Sequence, residues 1–327
     1  MADALSNCSN ISNANEEIII AAESFLRNLF GIYPLPFILL ALVVLLFFSA
    51  SVIVGLREER LSVKLYIFLL HRTAGDLLTL IALATIDILH ALDILTTKDT
   101  LDAFQVCALG YWSTTTAYLS LALMKLLAVK YPMFYRRHVR VRHCLAIVAL
   151  SWVFGICWTI FHGIIAIDYR THGTFIVQVC INMDECSKMG RIYWTAFGLT
   201  TYASVVIVYV WTALIVRRSL TRSRSVTNST VNPNQRRGNL WKTGTNIVIY
   251  AVCFALDTPG VFAIGTLSRP VFGYDECVLI DRAMFDLSEI LACIWLAAFL
   301  LRIIADPIAN IVTDPSLRFI AIRVFCK

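Results

Sequence analysis

Apolar residues fall into seven long stretches, at about 32–56, 65–91, 104–129, 144–167, 192–216, 243–267 and 283–306. Each stretch is closed by charged residues or by segments rich in Gly, Pro and Asn. The hydrocarbon core of a bilayer is about 30 Å thick, and about 20 apolar residues cross it as a helix. The pattern therefore predicts an all-α membrane protein: a seven-transmembrane helix bundle over 32–313, preceded by an N-terminal segment, 1–31. The tail, 314–327, has a different pattern. Asp314 is placed to cap a helix with Pro315 at its first position, and Leu317, Ile320, Ala321 and Val324 form one apolar stripe beside Arg318 and Arg323. That is the signature of a short amphipathic helix lying on the inner leaflet.

Composition agrees with the bilayer as solvent. The chain is 58% apolar and 15% charged, against roughly 25% charged in soluble domains. A run from Ile18 to Ala22 sits between Glu17 and Glu23 without a basic flank and is too short for a signal peptide, so the first span should act as its own insertion signal. Orientation follows from Lys and Arg in the connections. Eighteen lie on one face and seven on the other, which puts the richer face in the cytoplasm and the N-terminus outside. Asn7-Cys8-Ser9 and Asn10-Ile11-Ser12 are glycosylation sequons on the outer side, although Asn228-Ser229-Thr230 forms one on the inner side. The connection at about 217–242 is polar and basic and reads as a cytoplasmic loop. The net charge of +6 is thus gathered where anionic lipid and a cytoplasmic protein partner lie, and nucleic acid is not a partner.

Chemistry-bearing residues are few. No glycine-rich phosphate loop, metal-ligand cluster or Gly-x-Ser-x-Gly is present and the six histidines are dispersed, so neither an enzyme nor a cofactor is expected. Arg302, inside the seventh stretch, is the most informative residue. A charge near mid-bilayer costs roughly 2.5–3.5 kcal/mol on insertion scales, so it must face the bundle and be paired. A buried carboxylate is the partner to expect, and one guanidinium offsets only one carboxylate. Asp87, Tyr111, Trp112, His162, Glu289 and Trp295 lie on the outer third and are ligand-pocket candidates. A Trp at that depth is nonetheless more often part of the interfacial aromatic belt. Outer segments carry thirteen Asp and Glu against seven Lys and Arg, a negative mouth that favours a cationic peptide or amine as ligand.

The chain resembles the rhodopsin-like G-protein-coupled receptor family, in a divergent form most like the nematode chemoreceptor and neuropeptide-receptor branches. Ala74-Gly75-Asp76 is similar to the Leu-x-x-x-Asp element of span two, whose carboxylate binds sodium in many members. Pro132-Met133-Phe134-Tyr135-Arg136-Arg137 resembles the second inner loop, Trp152 the single Trp of helix four, Pro259 the helix-six proline, and Asp306-Pro307-Ile308-Ala309-Asn310 the motif closing helix seven. Departures are clear: Met124-Lys125-Leu126 stands for Asp-Arg-Tyr, and Leu256-Asp257-Thr258-Pro259 for Cys-Trp-x-Pro.

Several roles follow from the resemblance. It implies a plasma-membrane receptor passing an extracellular ligand, peptide or small chemosensory molecule, to a heterotrimeric G protein. Lys125, Tyr135 and Tyr209 are the coupling candidates. It implies a bridge from Cys107 to Cys180 or Cys186. Arg302 would take the place of the sodium ion, facing Asp76 and Asp257 one turn from Asp306, with Thr114 a further donor. A transporter or ligand-gated channel is the alternative; it predicts internal repeats, and none is evident.

Overall fold

A computed structural model describes residues 20–22, 24–29, 33–92, 94–95, 107–170, 196, 199–215, 217–218, 248–249, 251–256 and 282–326, with the side chains of 108, 111, 162–170 and 282–284 excepted. The architecture is an all-helical seven-span bundle, and the described residues contain no strand. Span one is Leu35–Arg57, span two Val63–Ala91, span three Cys107–Lys130, span four Val141–Arg170 and span seven Arg282–Thr313. Span five is described over Leu199–Ile215 and span six over 251–256.

Lipid solvation explains why these helices look inside-out by the standards of a soluble protein. Val43, Leu46, Leu150, Val153, Ile207 and Leu301 are exposed, while the buried set includes Asp76, Arg72, Asp306 and Arg302. Apolar side chains gain nothing by leaving lipid, whereas charged ones must leave it.

Two local features differ from the simple pattern. Span seven runs beyond Pro307 to Thr313, past the end that the apolar stretch suggests; a proline is tolerated inside a membrane helix where surrounding groups can re-satisfy the backbone group it frees. After span three the chain turns by 117° into a second helix, Pro132–His138. Tyr131, forced out of the helical region by the following proline, makes that corner. The helix Pro315–Phe325 then closes the inner end. Asp314 Oδ1 accepts from the Ser316 and Leu317 amides at 3.1 and 3.4 Å. Leu317, Ile320 and Ala321 pack inward, and Phe319, Ile322 and Phe325 are left on the outer surface, an apolar face that suits a membrane interface. The Tyr66 hydroxyl donates to Asp314, tying this cap to span two.

Spans two and three approach most closely at Gly75 and Gly110. A Cβ on Gly110 would stand 2.6 Å from the Gly75 carbonyl oxygen, and one on Gly75 2.9 Å from Ser113 Oγ. Small residues of this kind let helix backbones touch in lipid, where no hydrophobic force drives them together. The contact brings Asp76 of span two within reach of Thr114 of span three.

A candidate ion-pair network at mid-bundle

Asp76 accepts from Arg302 Nη2 at 2.9 Å and from Thr114 Oγ1 at 3.0 Å, both on Oδ1. All three side chains are buried. The Arg302 guanidinium also lies over the rings of Phe254 and Phe299, at 5.8 and 5.4 Å. It is thus held by hydrogen bonds on one side and by aromatic faces on the other, a setting that suits a planar cation. Asp257, the other expected partner, lies outside the described residues.

A second buried guanidinium, Arg72, changes the charge count expected from the sequence. Its Nη1 is 3.2 Å from Asp306 Oδ2, and its Cζ lies 5.0 Å over the Tyr118 ring. Arg302 is therefore not the single compensating charge: two guanidiniums meet two carboxylates, Asp76 and Asp306. The two pairs are not equivalent. Asp76 is doubly hydrogen-bonded, whereas among the described residues neither Asp306 oxygen nor Arg72 Nε has a hydrogen-bond partner. The Arg72 pair holds by proximity without aligned hydrogen bonds, so it is the more easily separated.

The sequence carried a signal for Arg72. It stands at the Leu position of the Leu-x-x-x-Asp element, one helical turn before Asp76 and on the same face. Of 28 Lys and Arg, 25 lie outside the seven apolar stretches of the sequence; Arg72, Lys125 and Arg302 are the three within them. The insertion cost that singled out Arg302 applies equally to Arg72.

A polar cluster on the other side of span three was also missed. His71 Nε2 is 3.1 Å from Ser151 Oγ, Ser113 Oγ is 3.5 Å from His71 Nδ1, and Thr116 and Ser151 share a short hydrogen bond. With the His71 ring edge-on to Trp152 at 5.5 Å, it joins spans two, three and four beside the ion pairs.

Toward the inner end, Lys125 Nζ lies 5.5 Å over the Tyr209 ring. Tyr209 is buried and within electrostatic reach of Arg72. Tyr135, on the Pro132–His138 helix, carries Lys64 over its ring at 5.1 Å. The structure thus pairs Asp306 with Arg72 at mid-bundle and Tyr209 with Lys125 further along the bundle.

The outer candidates whose side chains are described do not all lie together. Trp112 is buried edge-on to Phe154 and Trp158, at 6.5 and 5.6 Å, which places it between spans three and four. Trp295 stacks on Phe299 at 5.9 Å in the bundle core. Glu289 is half-buried, on the side of span seven that bears exposed Asp286 and Cys293. Asp87 is buried on the inward face of span two. Cys107 is an unbridged, buried thiol with Sγ 4.0 Å from the Thr79 carbonyl oxygen. Cys180, Cys186, Asn7 and Asn10 lie outside the described residues, as do the side chains of Tyr111 and His162. Among the described residues, no three His, Cys, Asp or Glu side chains form a group able to hold a metal ion.

A comparison with curated proteins returns no match. A family model described as serpentine type 7TM GPCR chemoreceptor Srsx matches residues 36–237. The match covers more than half of the 327 residues and takes in Arg72, Asp76, Thr114, Lys125 and Tyr209. With seven spans, an inner amphipathic helix and this match, the chain belongs to the Srsx family of serpentine G-protein-coupled chemoreceptors, a nematode family.

Proposed function

We propose that this receptor binds an extracellular ligand at the plasma membrane, N-terminus outside, and passes the signal to a heterotrimeric G protein. The G protein docks between the inner ends of spans three, five and six, beside Lys125 and Tyr209. The observation that carries the proposal is the inequality of the two buried pairs. Arg302, Asp76 and Thr114 form a hydrogen-bonded unit that joins spans two, three and seven, in the space where related receptors hold a sodium ion. Arg72 and Asp306, poorly bonded, form the part that separates.

Ligand binding does not need to break both. A ligand shifts an equilibrium only by its differential affinity for the two states, and a pair without aligned hydrogen bonds is the cheaper one to open. Once released from Asp306, the Arg72 guanidinium has the Tyr118 ring beneath it and Tyr209 beside it. Its new neighbours sit on spans three and five, the helices whose inner ends face the G protein. Lys125 takes the place of the Arg that related receptors use there. As a compact ammonium it contacts the G protein as a point charge, without the bidentate geometry of a guanidinium.

The test is guanine-nucleotide exchange on a panel of G proteins, with the receptor in membranes and a library of amines and peptides as ligands. Ligand-dependent exchange on at least one G protein is expected. No exchange on any, together with ligand-gated current in planar bilayers, would overturn the proposal in favour of a channel.

A further inference from the structure

Of the three carboxylates buried in the described residues, Asp76 and Asp306 each face a guanidinium, and Asp87 faces none. Asp87 is 1% exposed, and among the described residues neither of its oxygens has a hydrogen-bond partner. Span two sets its direction. Eleven residues separate Asp87 from Asp76, close to three full turns, so both carboxylates project from the same inward face, Asp87 roughly 16 Å nearer the outside. An ionised carboxylate buried without a cation or donor is among the most unfavourable arrangements in a protein interior, and the described residues around it offer no remedy. Leu83, Ala84, Ile86, Phe285 and Trp295 form the apolar cluster at this level. The nearby Cys107 thiol points to the Thr79 carbonyl, and His90 Nδ1 is 3.1 Å from the Leu95 carbonyl oxygen.

We infer that Asp87 anchors the ligand of this receptor, and that the ligand presents a protonated amine on an apolar or aromatic body. The ammonium supplies the cation that the other two buried carboxylates already have. Its N–H groups meet both empty carboxylate oxygens, and its apolar part lies against the cluster around Trp295, whose ring face also favours a cation. The thirteen acidic against seven basic residues of the outer segments concentrate such cations at the entrance. The site stands on span two and, among the helices described here, draws its apolar wall from span seven. It rests on the receptor reading only in taking the ligand from the outer side.

The full-length receptor, purified in detergent, is heated with a graded series of alkylammonium chlorides from methylammonium to phenethylammonium. 2-Phenylethanol, phenylacetate and sodium chloride serve as neutral, anionic and inorganic controls. At millimolar concentration at least one ammonium should raise the midpoint by several degrees while the three controls do not. Asp87→Asn should weaken that ammonium about 30-fold or more, as loss of one partner of a buried charge pair does, and Asp87→Glu should keep it. Without ligand, Asp87→Asn should unfold no earlier than wild type, which shows that lost binding is not lost folding. No stabilisation by any ammonium, equal stabilisation of Asp87→Asn, or an equal effect of sodium chloride would overturn the inference. Stabilisation that depends on Asp87 without nucleotide exchange on any G protein would instead leave the site standing and overturn the coupling proposal.

Discussion

Replacing Arg302 with methionine keeps most of the side chain's length and an apolar contact with Phe254 and Phe299, and removes the charge together with its N–H donors. Asp76 is then left buried with one hydroxyl donor, Thr114, where it had two donors. Two unit charges at the 2.9 Å separation of this pair attract by about 6 kcal/mol at an effective dielectric near 20. Desolvation opposes part of that, and measured losses on removing one partner of a buried pair are about 3–5 kcal/mol. Arg302→Met should therefore lower the midpoint of the full chain in detergent by several degrees. Arg72→Met should lower it less, because the Arg72 pair lacks aligned hydrogen bonds. The double variant Asp76→Leu with Arg302→Met is the sharper control. Replacing both members with apolar groups of similar size removes the buried charge together with its partner and is often neutral or stabilising, so most of the single variant's loss should return. A wild-type midpoint for Arg302→Met, or a double variant that falls as the sum of the two singles, would refute the pairing energetics.

Two other perturbations probe the frame around the network. Gly110→Ala forces a Cβ against the Gly75 carbonyl and the Thr79 side chain; the side chain can rotate but the backbone cannot, so a loss of about 1–3 kcal/mol is expected, read as an earlier thermal midpoint, and an unchanged midpoint would refute the close approach. Asn7→Gln or Asn10→Gln should remove a glycosidase-sensitive mass shift while Asn228→Gln changes nothing; glycan on Asn228 would place the inner face outside.

The spans were legible because a bilayer demands long apolar runs, and the helix Pro315–Phe325 was legible because Asp314, Pro315 and a 3.6-residue stripe are local signals. The Arg302 contact with Asp76 was accessible from the cost of a buried charge. Arg72 was overlooked although the same cost applied, since its partner Asp306 is 234 positions away and no local pattern joins them. His71 and Ser151 were hidden for a similar reason: a histidine and a serine inside apolar spans carry no period. The direction of Trp112 was not legible either, because on a helix hydrophobic all round the pattern does not separate the face toward span four from the face toward the bundle axis. Pro132 gave the corner after span three but not the helix that follows, whose first position it occupies.

The claim that the Arg72 pair with Asp306 separates on activation is tested most directly by basal nucleotide exchange in membranes containing wild type or Asp306→Asn at matched surface abundance. Asparagine keeps the size of the side chain and leaves the backbone oxygen that accepts from Asn310 Nδ2 at 2.8 Å, but gives Arg72 no charge to pair with. A change of about 1.4 kcal/mol in the balance of two states is a tenfold change in their ratio. Basal exchange several-fold above wild type is the predicted result, and exchange indistinguishable from wild type on a G protein that the ligand-bound wild type activates would contradict it.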